Sequence, residues 1–252
     1  MKFSGVELFL DDQIVCYTRN VRRVVQQPQK HPDNPLIRRE YPWDNRHICL
    51  YGSIIHDPDR GVFRMWYNSF GEEYFGQQYM SYAESADGIQ WTKPMMDVCA
   101  WPGYEKTNLL MGLECNLHGP CVIENPNPDD AEHRYLLLFD SYPQHRENAA
   151  ELGIRGRWCY CATSPDGLHW SPSKGVPAFE GKADSGQCVI WEPNTKMFRA
   201  YVRLTAEDAY GQRIRIWRML ESPDFTHWGD PKEVMRMDEQ DGGPDTQLQQ
   251  LA

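Results

Sequence analysis

One seven-residue phrase occurs three times in this chain of 252 residues. It reads Ser85-Ala-Asp-Gly-Ile-Gln-Trp91, then Ser164-Pro-Asp-Gly-Leu-His-Trp170, then Ser222-Pro-Asp-Phe-Thr-His-Trp228. Repetition at long spacing means that the fold is assembled from copies of one supersecondary unit. The phrase itself carries no chemistry. Asp-Gly makes a tight turn in which glycine takes the positive φ and the aspartate bonds the turn backbone, and the tryptophan is placed to pack between units. Phe225 stands where the other copies have glycine, so the third turn is expected to adopt another geometry.

The similarity extends upstream of each copy. Tyr51-Gly-Ser-Ile-Ile-His-Asp-Pro is matched by His118-Gly-Pro-Cys-Val-Ile-Glu-Asn-Pro and by Gly186-Gln-Cys-Val-Ile-Trp-Glu-Pro. Each is a β-branched run entering a proline turn. Short aromatic and aliphatic strands follow at Val62, Arg134 and Met197, and a third strand in each unit runs into the Ser-x-Asp turn. Aligned on Ile54, Val122 and Val189, the units are 68 and 67 residues apart. Four antiparallel strands repeating at this length are propeller blades. The fold class expected is therefore all-β, a β-propeller built from four-stranded antiparallel blades. Eighteen prolines and nineteen glycines suit such a turn-rich chain.

Residues 1–252 are read as one propeller domain. Residues 1–50 are expected to add strands near 6–10, 13–18 and 21–25. Blades are expected over 51–110, 111–180 and 181–240, with 241–252 opening a further one. Three full blades with partial ones at both ends read as a partial propeller, whose open blade edges would favour pairing between copies of the chain.

Bulk properties exclude several functions. The net charge is -10, from 36 acidic and 26 basic residues, so nucleic acid is not an expected partner. No apolar stretch is long enough to span a membrane. The first residues carry no apolar signal region, which points to a cytoplasmic chain. None of the eight cysteines forms a Cys-x-x-Cys pair, and they read as reduced core residues. No histidine, cysteine and acid spacing suggests a metal site, and no phosphate loop or dinucleotide fingerprint suggests a cofactor.

The blade grammar resembles the five-bladed β-propeller glycosidases, the group holding glycoside hydrolase families 32, 43, 62, 68 and 117, with the family 130 phosphorylases nearby. The residues that carry the resemblance are Leu8-Phe-Leu-Asp-Asp12, His31-Pro-Asp-Asn-Pro35, Phe63-Arg-Met-Trp-Tyr67, the three Ser-x-Asp phrases and Ala183-Asp-Ser-Gly-Gln187. The chain looks like an uncharacterised family-32-like branch. The resemblance implies a carbohydrate substrate and carboxylates gathered where the innermost strands begin.

One acid precedes each inner strand. Asp44, in Trp43-Asp-Asn-Arg-His47, is the first candidate as nucleophile or base. Trp43 would be a stacking platform, and Arg46 and His47 would bond sugar hydroxyls. Glu114 precedes the second inner strand, beside His118, and Asp184 precedes the third, beside Gln187. Asp245 sits at a comparable offset further on. For each acid the competing reading is a solvated loop residue. The Asp-Pro step usual in families 32 and 43 is replaced here by Gly52-Ser53, Gly119-Pro120 and Gly186-Gln187. That departure keeps two other readings open beside a hydrolase. One is a glycoside phosphorylase using Arg38, Arg39 or Arg46 for phosphate. The other is a non-catalytic propeller that binds carbohydrate or protein.

Overall fold

The computed structural model describes residues 15, 17–24, 26–72, 77–113, 115–141, 158–173, 177–179, 183–207 and 213–236. The chain divides into two compact units, Met1–Pro35 and Leu36–Ala252. In the first, the expected strands near 6–10 and 13–18 lie largely outside the described residues. Residues 21–24 form no strand, contrary to expectation: valines alternate there with a run of arginines and all four side chains are exposed, so no face is buried to hold a ladder. Asn34 closes a turn at His31, donating its backbone N–H and its side-chain amide to the His31 carbonyl.

The second unit is all-β, with three sheets. The first holds β1 (His47–Asp57), β2 (Val62–Phe70), β3 (Gln78–Ser85) and β4 (Trp91–Thr92) in that order, and β5 (Leu109–Met111) pairs with β3. The second holds β6 (Leu117–Glu124), β7 (Tyr135–Ser141), β8 (Cys159–Ser164) and β9 (Ser171–Pro172). The third holds β10 (Asp184–Glu192), β11 (Met197–Glu207), β12 (Arg213–Ser222) and β13 (Lys232–Met235). Every pairing is antiparallel, and the inner strand β6 packs against both β1 and β10. These are three successive propeller blades, here called I, II and III.

The repeated phrase forms the β3–β4, β8–β9 and β12–β13 turns, and in each the aspartate accepts from the backbone N–H groups two and three residues further on while the serine hydroxyl bonds the aspartate. In blade I, Ser85 Oγ donates to Asp87 and accepts from Gly88 N–H, while Asp87 Oδ1 accepts from Ile89 and Gln90 N–H. Trp91, Trp170 and Trp228 each return their indole N–H to the carbonyl three residues back. His169 and His227 bond Asp166 and Asp224, so both histidines serve the turn. Burial would raise the Asp166 and Asp224 carboxyls, but backbone N–H groups and the neighbouring histidine outweigh it and hold each down to about 2, from an ordinary 3.8. Such depressed carboxylates stabilise the fold above the unfolded pKa and lose that contribution as pH falls through the folded one. Resistance to urea is therefore expected to drop between about pH 4 and about pH 2, and to drop less in an Asp166→Asn/Asp224→Asn variant.

Phe225 corrects one expectation. It keeps the glycine geometry, at φ +67 against +74 for Gly88 and Gly167. The reason lies in the neighbouring blade. Trp66 and Arg64 lean from blade I over the second turn, where a Cβ on Gly167 would come within 2.8 Å of the Trp66 ring. The register places Leu138 and Leu136 in the corresponding positions of blade II. These are shorter, and Phe225 is buried in the core cluster they share, against Phe198. A large residue over glycine in one crevice becomes leucine over phenylalanine in the next. Positive φ in a non-glycine residue costs roughly 1–2 kcal/mol, less than deleting a buried phenylalanine at about 3–5 kcal/mol. Phe225→Gly is therefore expected to destabilise the fold by about 2–3 kcal/mol, read as a lower urea midpoint, even though it relieves the backbone.

The remaining core follows the strand alternation. Blades I and II share Trp66, Tyr82, Leu137 and Tyr160, and blades II and III share Leu138, Cys161, Val202 and Leu220. All seven described cysteines, Cys188 included, carry free thiols. No helix among the described residues is long and apolar enough to cross a membrane.

Candidate functional site

All three inner strands carry a register shift at the same place. In β1 it lies between Cys49 and Ser53, in β6 between His118 and Cys121, and in β10 between Asp184 and Cys188. Just before each shift, an inner-strand residue faces a polar residue on the second strand of its blade: Cys49 with Asn68, His118 with Asp140, and Asp184 with Arg203. The bulge re-aims the backbone at that level. A ring of polar side chains thus sits at the mouths of strands whose lower parts are apolar.

Each member has a definite setting. Asn68 ties blade I to blade II: its Oδ1 accepts from Gly119 N–H at 2.6 Å and its Nδ2 donates to the Leu117 carbonyl at 3.0 Å. Asp184 pairs with Arg203 at 2.5 Å, the guanidinium side chain 6% exposed and the carboxylate 40% exposed. The charge is therefore backed by a buried cation while one side stays open to solvent. Gln187 is 9% exposed, and neither atom of its amide has a hydrogen-bond partner among the described residues. Its amide packs over Gly119, whose φ of +60 is the backbone conformation that favours glycine. A buried amide left unbonded costs free energy, and a site that receives hydroxyl groups is one setting that returns it.

An aromatic cluster flanks the ring. Phe70 stacks on His47 at 4.1 Å, and His118 meets Tyr51 and Phe70 edge-on. Burial lowers the His47 pKa, and Arg46 and Arg39 lower it further, so this imidazole is neutral near pH 7. Among the described residues, no group of three or more histidine, cysteine, aspartate or glutamate side chains is placed to hold a metal ion.

The expected residues divide sharply. Asp184, Gln187 and His118 lie at the ring or within one turn of it, and His47 lies beside it. Glu114 and Asp245 lie outside the described residues. Arg46 is exposed and its N–H bonds the Phe70 carbonyl. Asp44 and Trp43 are corrected. Asp44 is fully buried in the 3-10 turn Pro42–Asp44, accepts from the Glu40 and Tyr41 N–H groups, and pairs with the buried Lys93 at 2.8 Å. Trp43 is also fully buried, stacked on Tyr41 and flanked by Trp101 and Tyr104, with its indole N–H on Asn108. Neither has surface to offer a sugar, and both hold the segment before β1 in place. Asn68, Asp140 and Arg203 were missed. Their signal was present in the strands, since each stands two residues after Trp66, Leu138 or Tyr201 and interrupts an apolar run.

No protein-family model matches the chain, and no curated protein matches it. Solved structures do. A fructofuranosidase variant from Schwanniomyces occidentalis complexed with fructosylnystose matches with a TM-score of 0.51 at 10% identity, over 73% of this chain and 33% of that one. The same enzyme complexed with fructose matches with a TM-score of 0.50 at 11% identity, over 71% and 32%. A protein of unknown function from Dyadobacter fermentans matches at 16% identity over 74% and 54%, with a TM-score of 0.48. The chain spans about a third of the length of the fructofuranosidases. At these identities the likeness is one of fold, and it bears out the expected propeller blades.

Proposed function

We propose that this chain is a glycoside hydrolase, acting on an oligo- or polysaccharide at the mouths of β1, β6 and β10. The observation that carries the reading is the pair Asp184–Arg203 beside the unbonded amide of Gln187, set at the bulge level of a propeller blade. Glycosidic cleavage needs one ionised carboxylate, one proton donor and groups that hold sugar hydroxyls. Asp184 supplies the ionised carboxylate, half open to solvent and electrostatically backed by Arg203. Glu114, from the segment leading into β6, supplies the proton donor. Gln187 donates and accepts at one or two hydroxyls, which suits a planar amide with both atoms unengaged. His118 and Asp140 are paired at the same level of the neighbouring blade. Tyr51 offers a half-buried ring beside them.

A phosphorylase would need a cationic cradle for phosphate. Arg39 is committed elsewhere, donating to the carbonyls of Asn45 and Arg46, which weighs against that reading.

The test is Asp184→Asn, assayed on aryl glycosides and on fructo- and arabino-oligosaccharides. Loss of hydrolysis in a variant with unchanged thermal unfolding supports the role. Unchanged turnover would remove Asp184 from the mechanism. Glu114→Gln should then lose activity on substrates with poor leaving groups more than on activated aryl glycosides, because only the former need protonation.

A further inference from the structure

The three blades follow one register, and where they depart from it they leave an opening. On the second strands of blades I and II the residue opposite the inner-strand isoleucine faces the next blade: Arg64 opposite Ile55, and Leu136 opposite Ile123. In the crevice between blades I and II, Arg64 fills that space. Its guanidinium donates to the Tyr82 and Tyr135 hydroxyls and to the Asp166 carbonyl, and it lies over the rings of Trp66, Tyr82 and Tyr135. Between blades II and III, Leu136 stops short. A groove of about 680 Å³ opens there, lined by Trp191, Phe198, Leu136, Thr163, Asn125 and Thr226 among others.

The charge of the filled crevice has been lost as a set. Asn125 stands in the place of Asp57, Thr163 in the place of Glu84, and Phe198 in the place of Tyr135. The acids that line the groove, Asp130 and Asp224, are already bonded by His133 and His227. Both carboxylates also accept from backbone N–H groups of their own turns, so their hydrogen-bonding capacity is largely taken up locally. What remains is a half-buried tryptophan beside a phenylalanine, with amide and hydroxyl groups around them. Aromatic faces with a few placed hydrogen-bonding groups, in a volume within the usual ligand range, suit a neutral sugar ring.

We propose that this groove is a second saccharide site, taking a neutral sugar of one to three units. It rests on the reading of the chain as acting on glycans. The site lies at the opposite end of the blades from Asp184: the hairpins and the Ser-x-Asp turns close where the inner strands finish, and β10 separates the two places by roughly 20 Å. The groove would hold a polysaccharide against the blades while the strand mouths act on another stretch of it, or on another chain.

The experiment follows the Trp191 indole N–H by NMR, assigned through Trp191→Phe, on titration with maltotriose, cellotriose and 1-kestose. At least one saccharide is expected to shift it saturably. Thr226→Arg, which puts a long side chain across the opening, is expected to abolish the shift. Thr163→Arg repeats the block from blade II if the first variant folds poorly. Both are expected to leave hydrolysis of a small aryl glycoside unchanged, and Asp184→Asn is expected to leave the Trp191 shift unchanged. No shift with any of the three saccharides, a shift that survives both blocking variants, or a shift with arginine methyl ester alone would overturn the proposal. Wild-type protein that shifts but never hydrolyses would overturn the reading of the function and leave the groove as a binding site.

Discussion

Replacing Arg64 by alanine is expected to lower the stability of the fold by about 3–5 kcal/mol, read from the shift of the urea unfolding curve. Arg64 is 3% exposed and spans the boundary between blades I and II. Its removal leaves the buried Asp57 carboxylate, 3.9 Å away, without its cation and takes the donor from two tyrosine hydroxyls and one carbonyl. Breaking a buried pair at one partner is costly because the other charge stays behind. The comparison with the next crevice supplies the control. Arg64→Leu with Asp57→Asn copies the residues found at Leu136 and Asn125, and removes both charges together. That double variant is expected to lose less than Arg64→Ala alone. Equal losses would mean that packing on Trp66, rather than the stranded charge, sets the energy.

The second large effect is expected at Asp44. Asp44→Ala strands the buried ammonium of Lys93, whose other acidic neighbour, Glu40, is half exposed at 3.7 Å, and releases two backbone N–H groups from their acceptor. A loss of about 3–5 kcal/mol is expected from the uncompensated cation. Hydrolysis per folded molecule should be unchanged, because the carboxylate reaches no solvent. Asp44→Ala/Lys93→Met, which removes both charges, should recover most of the stability. A variant that stayed as stable as wild type but lost turnover would return Asp44 to the catalytic group.

These two positions show how far the residues speak for themselves. Asp44 reads as a loop acid just ahead of an inner strand, and that much is correct. Its burial depends on Lys93, 49 residues later, and on Trp101 and Tyr104 closing over Trp43. No local pattern announces such a meeting. Arg64 likewise reads as one polar residue on an aromatic strand, and only the approach of Tyr135 and Asp166 makes it a clamp. Asp140 and Arg203 are different. They were legible, because the three strands align on Trp66, Leu138 and Tyr201 and each bears a polar residue two places on.

The sequence by itself determined the unit and its punctuation. Strand alternation, the proline hairpins and the Ser-x-Asp turns are set by interactions within a few residues, so they repeat wherever the phrase repeats. Tertiary structure alone decided what happens between units. Whether a turn bears glycine or phenylalanine, whether a crevice is filled by arginine or left open as a groove, and which acid keeps a face to solvent all depend on side chains brought together from distant strands. Those contacts are fixed by packing and charge pairing across blades, which leave no periodicity along the chain.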